Sequence, residues 1–220
     1  MRQLEIDSAS LTVIVIRWHS LGERLAVVDF DWLVVVGAFF LGMFPSALLI
    51  GRLVGHDPAV EGSGNPGATN MFRIAGLKAG GATLVIDVAK AIIAALLGRW
   101  VGGTTLAAWA GAAAVVGHIF PLLRLSRGGK GVAAFGGMTI GTWPILAPIA
   151  LVVWISSAKL SGHSFIGAML GTPTVAIGTI VLGRPLVEIL IAWALTALII
   201  ARHHKNIRDF LAARNTANPE

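Results

Sequence analysis

Two glycine-rich segments contain the residue types that bind phosphate groups in proteins. The first, at residues 63–73, has the sequence SGNPGATNMFR, which combines small residues, two amides, a threonine and Arg73. Glycines let the backbone approach a phosphate closely, successive backbone N–H groups form an anion site, and an arginine donates two parallel hydrogen bonds to phosphate. The segment lacks the pattern of a nucleotide-binding P-loop. It is a candidate phosphate loop, with a plain turn as the alternative.

The second segment has the sequence GHIFPLLRLSRGGKG and ends in Arg-Gly-Gly-Lys-Gly at residues 127–131, directly before an apolar stretch. Consecutive glycines expose N–H groups at the start of the predicted helix, where the helix dipole favours an anion, and Lys130 adds a positive charge. A basic segment also anchors membrane proteins to anionic headgroups. Anchoring does not require the two adjacent glycines, so they favour a second phosphate loop.

Other ionisable groups lie within or beside apolar stretches. Asp87 and Lys90 are three residues apart on one helical face, and we expect them to neutralise each other. His118, which precedes an aromatic residue and a proline, is expected to be a packing histidine. His203 and His204 are neighbours whose side chains diverge by about 100° on a helix, so a shared metal ion is not expected.

The composition indicates that the helices of a membrane protein position these groups. Hydrophobic residues make up 55% of the 220 residues and charged residues 13%, and the mean hydropathy is +0.80. Soluble domains carry about 25% charged residues, so a soluble enzyme, a nucleic-acid-binding module and a disordered chain all fit poorly. The chain has no cysteine, which excludes disulfides, thiolate metal sites and a cysteine nucleophile.

The apolar pattern predicts an all-α integral membrane protein with seven transmembrane helices. Residues 1–31 form an N-terminal extension, residues 32–210 the seven-helix domain and residues 211–220 a tail. Proline and polar residues divide the uncharged stretch 131–158 into two short helices, and a long polar loop is expected at residues 55–78. The predicted spans are 32–54, 79–101, 104–123, two within 131–158, 160–183 and 185–201.

Charge distribution supports seven spans. Under that count, eleven lysines and arginines fall on the side opposite the N-terminus and five on the N-terminal side. Cytoplasmic loops carry the excess of basic residues, so the N-terminus is expected outside and the C-terminus in the cytoplasm. All the glycine-rich polar segments then emerge at the cytoplasmic face, where we expect them to form one active site.

The segments together resemble the bacterial membrane glycerol-3-phosphate acyltransferase family known as PlsY, over about residues 32 to 210. The segments that carry the resemblance keep the family's order and spacing: SGNPGATNMFR at 63–73, DVAKA at 87–91, GHIFPLLRLSRGGKGVAAFGG at 117–137, Lys159 with Ser161 and Ser164, and RHHKNI at 202–207. The chain has Ala91 where the family usually has glycine, and Asp209 where its tail is usually basic. His204 and Asp209 also match the HxxxxD pattern of a different class of glycerolipid acyltransferases, which we interpret as coincidence because about 140° separates them on a helix.

The resemblance implies an inner-membrane enzyme that transfers an acyl group from acyl phosphate to sn-glycerol 3-phosphate. The products are 1-acyl-glycerol 3-phosphate and inorganic phosphate. No metal, cofactor or nucleic acid is implied; the partners are the two substrates, membrane lipids and, functionally, an upstream enzyme that makes acyl phosphate. The implied catalytic residues are Ser63, Arg73, Lys130, His203 and Asn206. The implied substrate-binding residues are Asn65, Gly67, Thr69, Asn70, Gly128, Gly129 and Ser161.

Two other functions are weighed against the acyltransferase. A transporter or flippase for a phosphate-bearing solute or lipid places its site near the bilayer midplane on broken helices, whereas the basic groups here lie in loops at one face. Asp87 and Lys90 are the single midmembrane pair in the sequence, which is little for alternating access. A scaffold without catalysis has no use for two phosphate loops. Acyl transfer is therefore the leading hypothesis.

Overall fold

The computed structural model describes residues 30–122 and 128–217, and this part of the chain is helical without any strand. The predicted extension at residues 1–31 therefore lies almost wholly outside the described residues. The helices, in chain order, are α1 (Phe30–Gly42), α2 (Ser46–Val54), α3 (Ala68–Ile119), α4 (Val132–Thr142), α5 (Leu146–Ser161), α6 (Ser164–Val181), α7 (Leu186–Arg202) and α8 (His204–Ala217).

The first apolar stretch is divided, which corrects the prediction of one continuous helix at 32–54. α1 ends at Gly42 and α2 begins at Ser46, directly after Pro45. A proline has no N–H to donate and disfavours a helical conformation at the residue before it, so the helix breaks here. The break exposes backbone carbonyl groups inside the bundle, and one of them is used by a buried cluster described below.

The long α3 contains two breaks, at Gly76 and at Gly102 with Gly103. Gly76 and Gly103 have φ values of 79° and 75°, which a residue with a Cβ rarely adopts. The second break lies between the predicted spans 79–101 and 104–123 and confirms their boundary. The predicted loop at 55–78 is wrong over nearly half of its length, because the chain is already helical from Ala68 and resumes the helix after the turn at Gly76.

Small residues let the helices approach closely. A Cβ placed at Gly42 would overlap the backbone of Ala114, and one at Gly117 would overlap the backbone of Phe39, so α1 packs directly on the last part of α3. A Cβ at Gly137 would overlap Val88, which sets the same close approach between α3 and α4. In lipid, helix association depends on such contacts because apolar side chains gain little by leaving the bilayer.

A buried polar cluster that the sequence analysis missed joins α3 and α7 to the turns that follow α4 and α6. Glu188 is fully buried and accepts hydrogen bonds from Trp143 Nε1 at 2.8 Å and from Thr105 Oγ1 at 2.9 Å. Arg184 pairs with the same carboxylate through two contacts, at 2.8 and 3.1 Å. Every oxygen of the buried carboxylate is thus satisfied, as burial of a charge requires.

By length and composition, three helical stretches of the described chain can cross a membrane: Asp31–Val54, Ala68–Ile119 and Ser164–Val181. α7 and α8, bent by 52°, form a fourth candidate together, and α4 and α5 are shorter apolar helices. The division of residues 131–158 into two helices is confirmed. Because α3 is long enough for more than one crossing, these lengths do not decide the count, and seven spans stay a prediction.

The orientation is tested by cysteine labelling, which is simple here because the chain contains no cysteine. We expect the exposed positions Thr69→Cys and Lys205→Cys to react only with a reagent that enters the cytoplasm, as the charge bias requires. Leu182→Cys, in the turn after α6, is expected to react from outside. Labelling of positions 69 and 205 from opposite sides would show that the start of α3 and the α7–α8 junction do not share a site.

Candidate active site

The first glycine-rich loop, at residues 55–67, is held by Asn70. This side chain is buried, accepts a hydrogen bond from the Ser63 backbone N–H at 2.9 Å, and donates to the carbonyl groups of Pro58 at 3.1 Å and Glu61 at 3.0 Å. With both amide atoms engaged, Asn70 fixes the path of the loop. Of the residues predicted to bind substrate, Asn70 is the one that positions Ser63.

The second loop lies against the end of α3. A Cβ at Gly128 would overlap the carbonyl of Ile119, and one at Gly129 would overlap the imidazole of His118. Gly131, with φ of 91°, turns the chain into α4. Close contact therefore requires glycine at 128 and 129, and the backbone conformation favours it at 131. The loop places Lys130 at the N-terminus of a helix, where backbone N–H groups and the helix dipole favour an anion.

Lys130 joins this loop to the α7–α8 junction. Its Nζ donates a hydrogen bond to Asn206 Oδ1, and Arg202 Nη2 donates to the carbonyl of Gly128 at 3.2 Å. The Arg202 guanidinium also lies over the Phe120 ring, 5.8 Å from its centroid. Two predicted catalytic residues, 76 positions apart in the chain, thus come into direct contact.

Positive charges are concentrated around Lys130. Burial lowers the pKa of Lys130 to about 8. Neighbouring cations act in the same direction: Arg202, Arg73 and Lys205. Arg73, from the start of α3, thus adds to the positive potential at Lys130. Because like charges repel, a cluster of this kind is stabilised by a bound anion.

His203 lies between α7 and α8 with its side chain buried, and its Nδ1–H donates to the carbonyl of Ile199 at 2.8 Å. The hydrogen bond leaves Nε2 as the acceptor of a neutral imidazole. Burial lowers the pKa of His203, and the charges of Lys130 and Arg202 add to this effect. His203 is therefore a neutral base near pH 7. The adjacent His204 is exposed.

Ser161 ends α5 beside the turn into α6. Its Oγ donates to the carbonyl of Ser157 at 2.6 Å and accepts from the His163 N–H at 3.2 Å. The ring of Phe210 on α8 packs against His163, with centroids 5.1 Å apart. The Ser161 turn therefore contacts the same helix that carries Asn206, although no direct contact joins Ser161 to Lys130 among the described residues.

The predicted residues thus fall into three groups. Lys130, His203, Asn206, Gly128 and Gly129 surround the α7–α8 junction, and the charge of Arg73 reaches Lys130. The first loop meets this group because Pro66 lines one cavity with Gly128 and Gly129. That loop and the start of α3 hold the predicted ligands Ser63, Asn65, Gly67, Thr69 and Asn70, of which Ser63 and Thr69 are exposed. Ser161 stands apart on its own turn.

Sequence reasoning gave Arg202 no role, although the structure places it on the glycine loop. It was counted among the basic residues of the tail, and its position at the end of an apolar helix gave no further indication of a contact with Gly128. In the described part of the chain, no group of three or more histidine, aspartate or glutamate side chains is arranged to hold a metal ion.

The two neighbouring histidines provide a matched pair of variants. We expect His203→Ala to lower kcat/KM for the enzyme reaction at least about tenfold more than His204→Ala, since only His203 is buried beside Lys130. Asp209→Asn is expected to keep most activity, because Asp209 contacts Arg208 and not His204. Equal losses at positions 204 and 209, with a tolerant position 203, would reverse the assignment.

Comparisons with known proteins identify relatives of this chain. A sequence profile of the glycerol-3-phosphate acyltransferase family matches residues 32–213. The glycerol-3-phosphate acyltransferase of Pseudomonas paraeruginosa (strain DSM 24068 / PA7) is 42% identical over 195 residues, which cover 83% of this chain and 97% of the relative. That of Pseudomonas syringae pv. tomato is 40% identical over 200 residues, covering 86% and 98%.

Two crystal structures have a similar fold. Both are of PlsY, an integral membrane glycerol 3-phosphate acyltransferase. Its glycerol 3-phosphate form superposes with a TM-score of 0.81 at 31% identity, and its lysophosphatidic acid form with a TM-score of 0.76 at 29% identity. Each comparison covers 84% of this chain and 94% of the PlsY chain.

The helical fold and these similarities define an integral membrane enzyme of the acyltransferase class. More narrowly, the chain belongs to the glycerol-3-phosphate acyltransferase family and is of the PlsY type. The family, the all-α membrane fold and the acyltransferase activity expected from the sequence are thereby confirmed. The roles of individual residues stay predictions.

Proposed function

We propose that this acyltransferase uses acyl phosphate as donor and the 1-hydroxyl of sn-glycerol 3-phosphate as acceptor, and releases lysophosphatidic acid and inorganic phosphate. The observation that carries this proposal is the contact of Lys130 with Asn206 beside Gly128, surrounded by Arg202 and the charge of Arg73. Both substrates carry a phosphate, and bringing two phosphates together requires several cations and N–H donors. The loops supply both.

The reaction needs little more than positioning. The acceptor oxygen attacks the acyl carbonyl carbon, a new ester bond forms, and the bond from that carbon to the phosphate oxygen breaks. Acyl phosphate is a mixed anhydride with a good leaving group, so no covalent enzyme intermediate and no strong acid are required. In this scheme the cations bind the donor and acceptor phosphates, and Lys130 stabilises charge on the departing phosphate.

Two routes for the acceptor proton fit the site. Nε2 of neutral His203 accepts it, or a phosphate oxygen of the donor accepts it directly. A pH profile decides between them, because kcat/KM reports ionisations of the free enzyme. A His203→Ala protein with the wild-type rate and pH profile would leave the substrate-assisted route.

We further propose that the site faces the cytoplasm of a bacterial inner membrane, with the N-terminus outside and the C-terminus inside. The charge bias supports this orientation. The donor would come from an enzyme that makes acyl phosphate. Domain boundaries at 31/32 and 210/211 are part of the same proposal, and α8 runs without interruption through the second boundary.

The decisive experiment uses purified, detergent-solubilised protein with acyl phosphate and labelled glycerol 3-phosphate. We expect labelled lysophosphatidic acid and inorganic phosphate in equal amounts, with phosphate release dependent on the acceptor. An acyl thioester offered in place of acyl phosphate serves as the control donor. Product formation with the thioester but not with acyl phosphate would overturn the donor assignment. Movement of label across a vesicle membrane without product would favour a transporter.

A further inference from the structure

Three ionisable side chains form a buried cluster that the proposed mechanism does not use. The exposed fractions of Asp87, Lys90 and His118 are 1%, 4% and 9%. Lys90 Nζ lies 2.9 Å from Asp87 Oδ1, 2.8 Å from His118 Nδ1 and 3.2 Å from the carbonyl oxygen of Phe44. Ser46 Oγ donates to the same Asp87 oxygen at 2.7 Å. We call these side chains the Asp87 cluster.

The contacts within the cluster hold His118 by one side of its ring. Nδ1 lies 2.8 Å from Lys90 Nζ and 3.3 Å from Asp87 Oδ1. It accepts a hydrogen bond from the lysine in one tautomer and donates to the carboxylate in the other. The ring is therefore fixed on its Nδ1 side by the Asp87 cluster, and its Nε2 side is free to face another element.

That element is the second glycine-rich loop. A Cβ at Gly129 would overlap His118 Nε2, and one at Gly128 would overlap the carbonyl groups of Ile119 and His118. The loop backbone thus rests directly on the imidazole and on the last turn of α3. Displacement of this ring would move the residue that precedes Lys130.

A cavity of about 120 Å³ opens at the same place, large enough for a group of a few heavy atoms. It is lined by the break between α1 and α2, by both glycine-rich loops and by His118, with these residues: Met43, Phe44, Pro45, Ser46, Ala47, Leu48, Pro66, His118, Pro121, Gly128 and Gly129. Phe44 and Ser46, which bind Lys90 and Asp87, form one wall, and Gly128 and Gly129 form another. The Asp87 cluster therefore contacts both walls of the cavity: Asp87 and Lys90 bind the first wall, and His118 lies against Gly129 in the second.

We infer that His118 is a positioning residue of the acyltransferase, held by the buried Asp87–Lys90 pair and supporting Gly129 so that the glycine loop keeps its phosphate-binding geometry. This inference rests on the proposed function, because the loop that His118 supports is the proposed phosphate-binding loop. The cluster acts through the loop and does not contact the reacting atoms. An error of about 1 Å in such a loop lowers rates by about 10².

His118→Asn is the variant that separates this role from stability. The Asn amide can replace Nδ1 as the partner of Lys90 and Asp87, since it carries both an acceptor and a donor, while the ring atoms next to Gly129 are removed. We expect the melting temperature to stay near that of the wild type, and kcat/KM for acyl transfer to fall at least about tenfold, mainly through a higher KM. Wild-type kinetics in a folded His118→Asn protein would overturn the inference.

Gly129→Ala tests the contact itself. Alone, it is expected to be severely impaired, because its Cβ has no room beside the imidazole. The double variant His118→Asn/Gly129→Ala is expected to be more active than Gly129→Ala, since the smaller side chain opens that space. If the two losses simply multiply, the residues act independently and the inference fails.

Glu188→Gln is the matched control. It alters another fully buried carboxylate with several partners, at the opposite end of α7 from Arg202. We expect a lower melting temperature with near wild-type kinetics below it. A wild-type protein that makes no product from acyl phosphate would overturn the proposed function instead. The same variants would then be compared by the rise in melting temperature that inorganic phosphate causes, where loss of this rise in His118→Asn supports the inference and an unchanged rise overturns it.

Discussion

Lys130→Met is expected to lower kcat/KM for acyl transfer by about 10² or more while the protein still folds and inserts. The loss corresponds to one preorganised, charge-assisted phosphate contact, about 2.7 to 4 kcal/mol in a water-poor site. Lys130 is partly buried at the N-terminus of α4 and bonded to Asn206. Steady-state kinetics in detergent measure the effect, and kcat is expected to fall together with kcat/KM if Lys130 stabilises the departing phosphate.

A matched control is Lys78→Met, which removes an exposed lysine from α3 and is expected to leave the kinetics unchanged. Equal activity of the wild type and Lys130→Met would contradict the phosphate-loop hypothesis. In that case the similarity to the family would have to rest on the fold alone.

The same residue predicts an alkaline limit of activity. The pKa of Lys130 is lowered to about 8, so the folded enzyme loses this charge as the pH rises through about 8. If the ammonium form is required, kcat/KM declines above that pH. Below that pH, the protonation of Lys130 no longer changes kcat/KM. In Lys130→Arg, whose guanidinium stays charged, the residual activity is expected to lose the alkaline decline.

The sequence was sufficient for the parts of the fold that depend on local chemistry. The helix boundary at Gly102–Gly103 and the division near Pro144 follow from residue types that disfavour a continuous helix. Pro45 is the same kind of signal, and its effect was missed because the apolar run around it is long enough to span a bilayer. The early start of α3 at Ala68 was missed because its first residues continue a polar, glycine-rich stretch that lacks the apolar length needed to span a bilayer.

The site could be predicted only where its groups are neighbours in the chain. Both glycine-rich loops and the spacing of Asp87 and Lys90 are local patterns, and the ion pair at 2.9 Å confirms the expected pairing. The expectation that His118 merely packs was incomplete, because its partners come from residues 28 and more positions away. The contact of Arg202 with Gly128 likewise joins residues 74 positions apart, and no periodicity or spacing encodes it.

Asn70 shows why residue type alone does not assign a role. An amide in a glycine-rich loop can bind phosphate or hold the loop, and the sequence is identical in both cases. The structure has both amide atoms engaged with the loop backbone. Burial and hydrogen-bond partners, which depend on the folded path of the loop, therefore carry the information that the motif lacks.

Arg73→Lys is expected to lower kcat/KM by about 10² or more, although it keeps the positive charge. Arginine presents a planar fork that binds two phosphate oxygens at once, whereas lysine donates from a single point. Arg73 is exposed near the start of α3, and its charge is felt at Lys130. A shared phosphate site between the two residues would explain the influence of Arg73 on Lys130.

Kinetics then decide which phosphate Arg73 binds. If it holds only the acceptor, Arg73→Lys raises the KM for glycerol 3-phosphate more than the KM for acyl phosphate, and the reverse pattern assigns it to the donor. Arg52→Lys, at the exposed end of α2, is the matched control and is expected to leave both constants unchanged. Full activity of Arg73→Lys would show that its charge suffices without two-point binding, and full activity of Arg73→Met would remove the residue from the site. Loss in Arg73→Lys with normal Arg52→Lys is the expected result, because the charge of Arg73 acts on Lys130 in the glycine loop.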